Sequence, residues 1–222
     1  ALIQRDQPPR NLTLLSFTGG SASDMLIGAG IVTCTRCCYF GLETFGLAPM
    51  FTTAVSAGTV EVIEESEASI ANGLRAKMGG TGFMPSPAWI GTDMFTVRPD
   101  VKTVTDPYSG KTLTAFPAIG CDITVIHALR ADRSGNVLLG GNPTIDLELA
   151  NVSKIVIITA EKIVDSLSAP IDIPGQAVTA VVPLSNGAWP TSCYPLYPID
   201  GEEILRYIAA CNTGKFENYV HN

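Results

Sequence analysis

The sequence predicts an α/β fold of three layers, α/β/α, built around a mostly parallel central sheet. Three observations carry that prediction. Short apolar strand-like runs alternate with helical stretches along the whole chain. Two of those runs, residues 155–158 and 178–182, are almost continuously apolar, as strands covered on both faces are. Hydrophobic residues make up 46% of the 222 and charged residues only 16%, so the chain has the material for one sizeable core and reads as a single domain.

The elements follow in order. Residues 11–17 (NLTLLSF) read as a strand that ends in the turn Thr18-Gly19-Gly20-Ser21. Residues 23–29 suit a short helix broken by Gly28 and Gly30, and residues 30–40 return as a strand rich in β-branched and aromatic side chains. Residues 47–57 are helical in part, and 59–63 form a short strand. The strongest helix spans 64–78: acids open it, Ala, Leu, Lys and Arg fill it, and Gly79-Gly80 ends it. Residues 81–93 are a Gly/Pro loop, and Asp106-Pro107-Tyr108-Ser109-Gly110 is a turn between two β segments. Strands are expected at 123–128, 137–139, 154–159 and 177–183, helices at 145–151 and 161–165, and a last helix at 201–212. Residues 1–6 read as the end of a helix.

Composition excludes several classes of function. The formal charge is −7 and no Lys/Arg cluster is present, which argues against a nucleic-acid footprint. No apolar run is long enough for a membrane span. The six cysteines lie mostly in apolar, strand-like surroundings and read as free thiols of a reduced, cytoplasmic protein. Cys34-Thr-Arg-Cys37 is one C-x-x-C with no second pair and only two histidines in the chain, so no metal site is expected.

Four ordered motifs carry more. Asp24-Met25-Leu26-Ile27-Gly28 with Gly30 follows the Gly19-Gly20 turn. The helix from Glu67 to Met78 runs into Gly82-Phe83-Met84-Pro85 and on to Gly91-Thr92-Asp93. Cys121-Asp122-Ile123-Thr124-Val125-Ile126-His127-Ala128 continues to Ala131-Asp132-Arg133-Ser134-Gly135-Asn136. Asp172-Ile173-Pro174-Gly175 leads to Gly187-Ala188-Trp189-Pro190-Thr191-Ser192-Cys193-Tyr194. Together they resemble the A subunits of bacterial class I CoA-transferases, the glutaconate-type branch above all, with Trp189 in place of that branch's histidine. The resemblance covers nearly the whole chain. It implies the three-layer scaffold that these enzymes share with sugar-phosphate isomerases, and a further strand–helix segment ahead of residues 1–6.

It also implies a chemistry. Family members move CoA between carboxylic acids through anhydride and glutamyl-CoA thioester intermediates, by ping-pong covalent catalysis with no metal or organic cofactor. The resemblance places the glutamate nucleophile on a B subunit, so the expected partners are that subunit, in a heterodimer or a higher A/B oligomer, and acyl-CoA and carboxylate substrates. On this chain, Gly19, Gly20 and Ser21 can present backbone N–H groups and a hydroxyl to a carboxylate or oxyanion, and Ser86 can do the same from its loop. Each also reads as plain turn or loop structure. Glu67 heads an apolar stripe with Ala71, Leu74 and Met78 at helical spacing. It is the candidate catalytic residue, or else a cap of the helix together with Glu64 and Glu65. Similar CoA-dependent ring-opening hydrolases carry a glutamate there, and the alternative function is thioester hydrolysis or decarboxylation with Glu67 catalytic. A noncatalytic acyl-CoA-binding module is the reading from a different class. His127, inside an apolar strand, is expected to be a hydrogen-bonded structural histidine, and Asp132 and Asn136 to cap a turn.

Overall fold

The structure is a computed structural model and describes residues 3–141 and 143–221. Along the chain run β1 (Leu12–Gly19), α1 (Ser21–Gly28), β2 (Val32–Phe40), α2 (Pro49–Ser56), β3 (Glu61–Glu64), α3 (Glu67–Met78), β4 (Phe83–Ser86), α4 (Met94–Val97), β5 (Lys102–Thr105) and β6 (Thr112–Pro117). Then come β7 (Cys121–Asp132), β8 (Val137–Leu138), α5 (Asp146–Val152), β9 (Ser153–Val164), β10 (Ala180–Pro183), α6 (Gly201–Asn212) and α7 (Phe216–His221). The class is mixed α/β with parallel sheets. No described helix is long and apolar enough to cross a membrane.

The chain divides into two compact units. The first takes the chain up to Ile70, Thr96–Arg98 and everything from Gly201. It holds the parallel sheet β1-β2-β3. Leu42, Ala48, Ile204, Tyr207 and Phe216 form a core beside α2 and α6, and Ile27, Ile31, Val32 and Val60 form another against the sheet. Asp24 of α1 is fully buried there. Its carboxylate accepts from the Phe51 amide (2.6 Å), the Met50 amide (3.2 Å) and the Tyr207 hydroxyl (2.6 Å), and so caps α2 from a neighbouring helix. Burial raises its carboxyl above the usual range, and the three donors pull it back.

The second unit takes Ala71–Phe95 and Pro99–Asp200. It holds a four-stranded sheet of order β10-β9-β7-β8, parallel except for β8, and an antiparallel sheet β4-β6-β5. Ile126, Ala128, Val156, Ile158, Ala160 and Ile173 pack the inner face of the larger sheet.

Several expectations need correction. Residues 155–158 predicted burial on both faces. Instead they alternate, and on the outer face Val125 is 62% and Ile155 40% exposed, because no described element of this chain covers them. A helix is expected over 161–165, but residues 161–164 prolong β9, because Lys162, Ile163 and Val164 pair with Arg130, Ala131 and Asp132, and Asp165 is a bend. The helix expected from residue 64 starts at Glu67, since Glu64 belongs to β3 and pairs with Cys37. Of the helix end expected at residues 1–6, the first two lie outside the described residues, and Ile3–Asp6 are turns and bends. The loop at 81–93 contains β4, whose Phe83 and Ser86 pair with Pro117 and Thr114.

Candidate active-site edge

Strands β1, β2 and β3 run parallel, so their carboxyl ends share one edge: Gly19 lies opposite Phe40, and Cys37 opposite Glu64. The carboxyl edge of a parallel sheet is where such folds place ligands. Of the residues singled out in the sequence, Gly19, Gly20 and Ser21 lie where β1 ends and α1 begins, and Glu67 lies three residues past the end of β3. Gly19 ends β1 where a Cβ would stand 2.4 Å from the Phe40 ring, so its smallness serves packing. Gly20 follows in extended conformation, and a Cβ there would meet nothing within 4 Å, so its backbone is the open part of the turn. Ser21 begins α1 with its side chain buried.

The same edge receives the junction from β3 to α3. Glu65 is 4% exposed. Its Oε1 accepts from Arg36 Nε (3.0 Å) and Arg36 Nη2, and from Arg98 Nη1 (2.9 Å); its Oε2 accepts from Ser69 Oγ (2.6 Å). Arg98 also donates to the Glu64 carbonyl (2.9 Å). Two arginines from distant parts of the chain thus neutralise one buried carboxylate. Capping of α3 falls to serines rather than glutamates: the Ser69 amide donates to Ser66 Oγ (3.2 Å), and the Ser66 amide to Ser69 Oγ (2.8 Å).

Glu67 lies one residue beyond this cap and is exposed. The expected stripe with Ala71, Leu74 and Met78 is corrected accordingly. The buried side of α3 carries Ser69, Ile70, Gly73, Leu74 and Ala76, and at about 100° per residue Glu67, Ala71 and Met78 fall away from its centre, where Glu67 and Met78 are exposed. Cys38 on β2 feels the charge of Glu67. Burial first, then the charges of Glu67, Cys37, Glu65 and Glu64, push it up to about 12, so it stays protonated and is no nucleophile at neutral pH.

Ser86 belongs to the second unit, at the end of β4. Its Oγ accepts from the Ala88 amide (3.2 Å), a local turn bond.

The second unit has its own polar cluster, on the outer face of β7 and β9. His127 is hydrogen-bonded at both ring nitrogens, to Thr159 Oγ1 (2.8 Å) and to Glu161 Oε1 (2.8 Å), as a structural histidine should be. Glu161 also accepts from the Tyr197 hydroxyl (2.5 Å) and from the amides of Asn186 (2.8 Å) and Gly187 (3.0 Å). Burial opposes its charge, yet Tyr197, Asn186, His127 and Gly187 together hold its carboxyl down to about 2. His127, Glu161 and Cys193 bring their ligand atoms within 4.8 Å of one another, a spacing compatible with a cation. The donor set fits a metal poorly. Both Glu161 oxygens are already occupied, and burial, aided by Glu161's charge, keeps the Cys193 thiol protonated. Asp132 and Asn136 cap their turn as expected. Asp132 accepts from the amides of Ser134, Asn136 and Leu167, and Asn136 Oδ1 accepts from the Gly175 amide.

Sequence reasoning missed Arg36, Arg98 and the partners of Glu161. Their only signals were arginines near apolar runs and a tyrosine far along the chain, and spacing does not join such positions.

Known proteins resemble this chain throughout. A family model described as coenzyme A transferase matches residues 1–183. The A subunit of the 3-oxoadipate CoA-transferase of Pseudomonas knackmussii is 35% identical over 200 residues, which cover 87% of this chain and 71% of that one. The cholesterol ring-cleaving hydrolase IpdA subunit of Rhodococcus jostii is 30% identical over 227 residues, 94% of this chain and 74% of that one. Two solved structures superpose closely. A variant of the decarboxylase AibA/AibB gives a TM-score of 0.88 at 29% identity, covering 96% of this chain and 83% of that one. Glutaconate coenzyme A-transferase from Acidaminococcus fermentans gives 0.84 at 27%, covering 95% and 74%. The sheet edge, the ordered motifs and a family match over most of its length agree: this chain belongs to the coenzyme A transferase family.

Proposed function

We propose that this chain is the A subunit of a two-chain coenzyme A transferase that moves CoA between small carboxylic or dicarboxylic acids. The observation that carries the reading is the family match over residues 1–183, joined by a 35%-identical relative that is itself the A subunit of a CoA-transferase. The partner is a B subunit, in a heterodimer or a higher A/B oligomer. All six cysteines are unpaired, which supports a reducing, cytoplasmic setting, and the relatives named above favour a bacterial enzyme.

In the cycle that the family resemblance implies, a B-subunit glutamate attacks the carbonyl of the acyl-CoA thioester, forming an acyl-glutamyl anhydride and expelling CoA thiolate. The thiolate then attacks the glutamyl carbonyl, which frees the first acid and leaves CoA on the enzyme as a thioester. The acceptor acid reverses both steps. No metal or organic cofactor takes part; the CoA thioester is substrate. The A chain contributes one wall: the open backbone at Gly20, and Glu67 at the same sheet edge.

A second reading, thioester hydrolysis or decarboxylation with Glu67 as the catalytic base, draws on one observation. Glu67 is exposed at that edge, while Glu65, two residues earlier, is spent on two arginines. One experiment separates the two. The chain is co-expressed with its B-type partner and incubated with glutaconyl-CoA, with and without acetate, and mass spectrometry follows CoA products and CoA bound to either chain. Acetate-dependent acetyl-CoA, with CoA attached to the B chain, supports transfer. Thioester loss or CO₂ release without acetate overturns it and favours Glu67 chemistry.

A further inference from the structure

The segment between β10 and α6, residues 184–199, contains the motif Gly187–Tyr194 singled out in the sequence, yet no step of the proposed reaction uses it. It has no regular secondary structure, but it is tightly fixed. Inside it, the Trp189 amide donates to the Asn186 carbonyl (3.1 Å), the Thr191 amide to Ala188 (2.9 Å), the Leu196 amide to Cys193 (2.7 Å) and the Cys193 amide to Tyr197 (3.1 Å). From below, Glu161 receives the Asn186 and Gly187 amides and the Tyr197 hydroxyl, and that hydroxyl oxygen accepts from the Ala188 amide (3.0 Å). Trp189 Nε1 donates to Asp200 (3.1 Å). Gly187 lies against the imidazole, where a Cβ would stand 2.5 Å from His127 Cε1.

The Tyr197 hydroxyl and the Asn186, Gly187 and Ala188 amides are thus turned inward, while outward the large apolar side chains stand among the uncharged Ser185, Asn186, Thr191 and Ser192. Tyr194 is 83% exposed, Leu196 55% and Trp189 47%, with Leu184 and Ile199 beside them. Within a chain of net charge −7, residues 184–199 contain no charged side chain. A surface of large apolar side chains, free of charge and already ordered, has the composition of the centre of a lasting protein interface. Because the backbone is pre-fixed, little ordering entropy remains to be lost on docking. Through Leu184 and Val182 the patch continues onto the exposed outer face of the β10-β9-β7 sheet, so the apolar area exceeds the loop itself.

We infer that residues 184–199, held by Glu161, form a docking platform for the B-type chain, with Tyr194 and Leu196 as its central anchors. The occupant follows from charge and from the two-chain reading. An acidic chain with an uncharged apolar patch suits a lasting partner that is always present, and the proposed function supplies one. The inference rests on that reading and adds to it the surface by which the A chain is recognised.

The test uses the full chain with its B-type partner. The Tyr194→Glu/Leu196→Glu double variant is compared with wild type and with Tyr108→Glu, which replaces a 98%-exposed tyrosine at a hairpin tip elsewhere in the same unit. Dissociation constants are read by analytical ultracentrifugation, with thermal melting of the isolated A chain as the folding control. The double variant is expected to bind at least ~10-fold more weakly and Tyr108→Glu within about 2-fold of wild type. If the double variant melts early, Tyr194→Ala replaces it, with ~10-fold weaker binding expected. Unchanged B-chain affinity in a folded platform variant overturns the inference and leaves the enzymatic reading intact. Loss of self-association instead of B-chain binding also overturns it, by assigning the platform to a second copy. A wild-type chain that turns over acyl-CoA alone and binds no B chain sinks both.

Discussion

Each unit builds a glutamate into its fold, and the two are neutralised by different means. In the first, Glu65 meets two guanidinium groups and a serine hydroxyl. In the second, Glu161 meets a phenol, two backbone amides and an imidazole. Charge matched by charge creates obligations in both directions: without Glu65, two partly or largely buried arginines lose the carboxylate they share. Charge matched by dipoles is more forgiving, because removing the carboxylate strands only neutral donors, each of small cost. The first arrangement fixes the start of a helix beside a candidate active site. The second anchors a surface loop.

The largest effect should follow from Glu65→Gln. Arg36 and Arg98 would keep their charge and lose the buried carboxylate they share, and about 3–5 kcal/mol of stability should go with it, measured by urea unfolding. Replacing all three residues with apolar ones of similar volume should cost less than that single change. If the triple variant is the worse of the two, the contrast between the clusters is broken.

Glu161→Gln should cost less, about 2 kcal/mol, since glutamine still accepts some of the same bonds. Its more telling signature is pH dependence. The Glu161 carboxyl sits at about 2 in the fold against 4.5 for the free group. A lowered folded pKa means that its contribution is complete above about pH 4.5 and is lost as pH falls toward about 2. Wild type should therefore shed stability over that range, and Glu161→Gln should shed less. Asp146, at the start of α5, has the opposite sign. Burial first, then the charge of Glu148, push it up to about 6 from 3.8. A raised carboxyl pKa means that stability falls as pH climbs from about 4 through about 6. Asp146→Asn should remove that fall and leave the protein roughly 1 kcal/mol more stable at pH 7 than wild type. Melting temperatures across an acid-to-neutral buffer series check both signs at once.

How much of this was legible in the sequence differs between the units for a physical reason. Strands and helices with strong local signals, such as β1, β2, α5 and α6, fall close to where patterning puts them, because alternation and helix composition are properties of neighbouring residues. The Gly19-Gly20-Ser21 turn and Glu67 are singled out in the sequence because a motif marks them. Glu65 was read as a cap, since an acid near a helix start ordinarily is one. Its real partners, Arg36 and Arg98, lie 29 and 33 residues away, and only the fold brings them near. Residues 161–165 were read as helical from composition, but the ladder to β7 overrode that weak preference. The open outer face of the β7-β9-β10 sheet was hidden for a related reason. An apolar run tells that a face prefers to be covered, not which chain covers it.

The smallest effect on stability is expected two residues from the largest. Glu67 is exposed and forms no part of the arginine cluster or the serine cap, so Glu67→Gln should change unfolding free energy by no more than about 0.5 kcal/mol. Its value lies in activity. In the complex with the B chain, a bystander at the sheet edge leaves kcat and KM within a few-fold of wild type. A substrate-positioning carboxylate raises or lowers KM with kcat held. A proton-transferring base costs ~100-fold or more in kcat, with the acidic limb of the pH–rate profile lost. Because stability is untouched in all three cases, any kinetic change can be assigned to the site rather than to the fold. At Glu65 that separation cannot be made, since one substitution there disturbs both the helix start and whatever the edge binds.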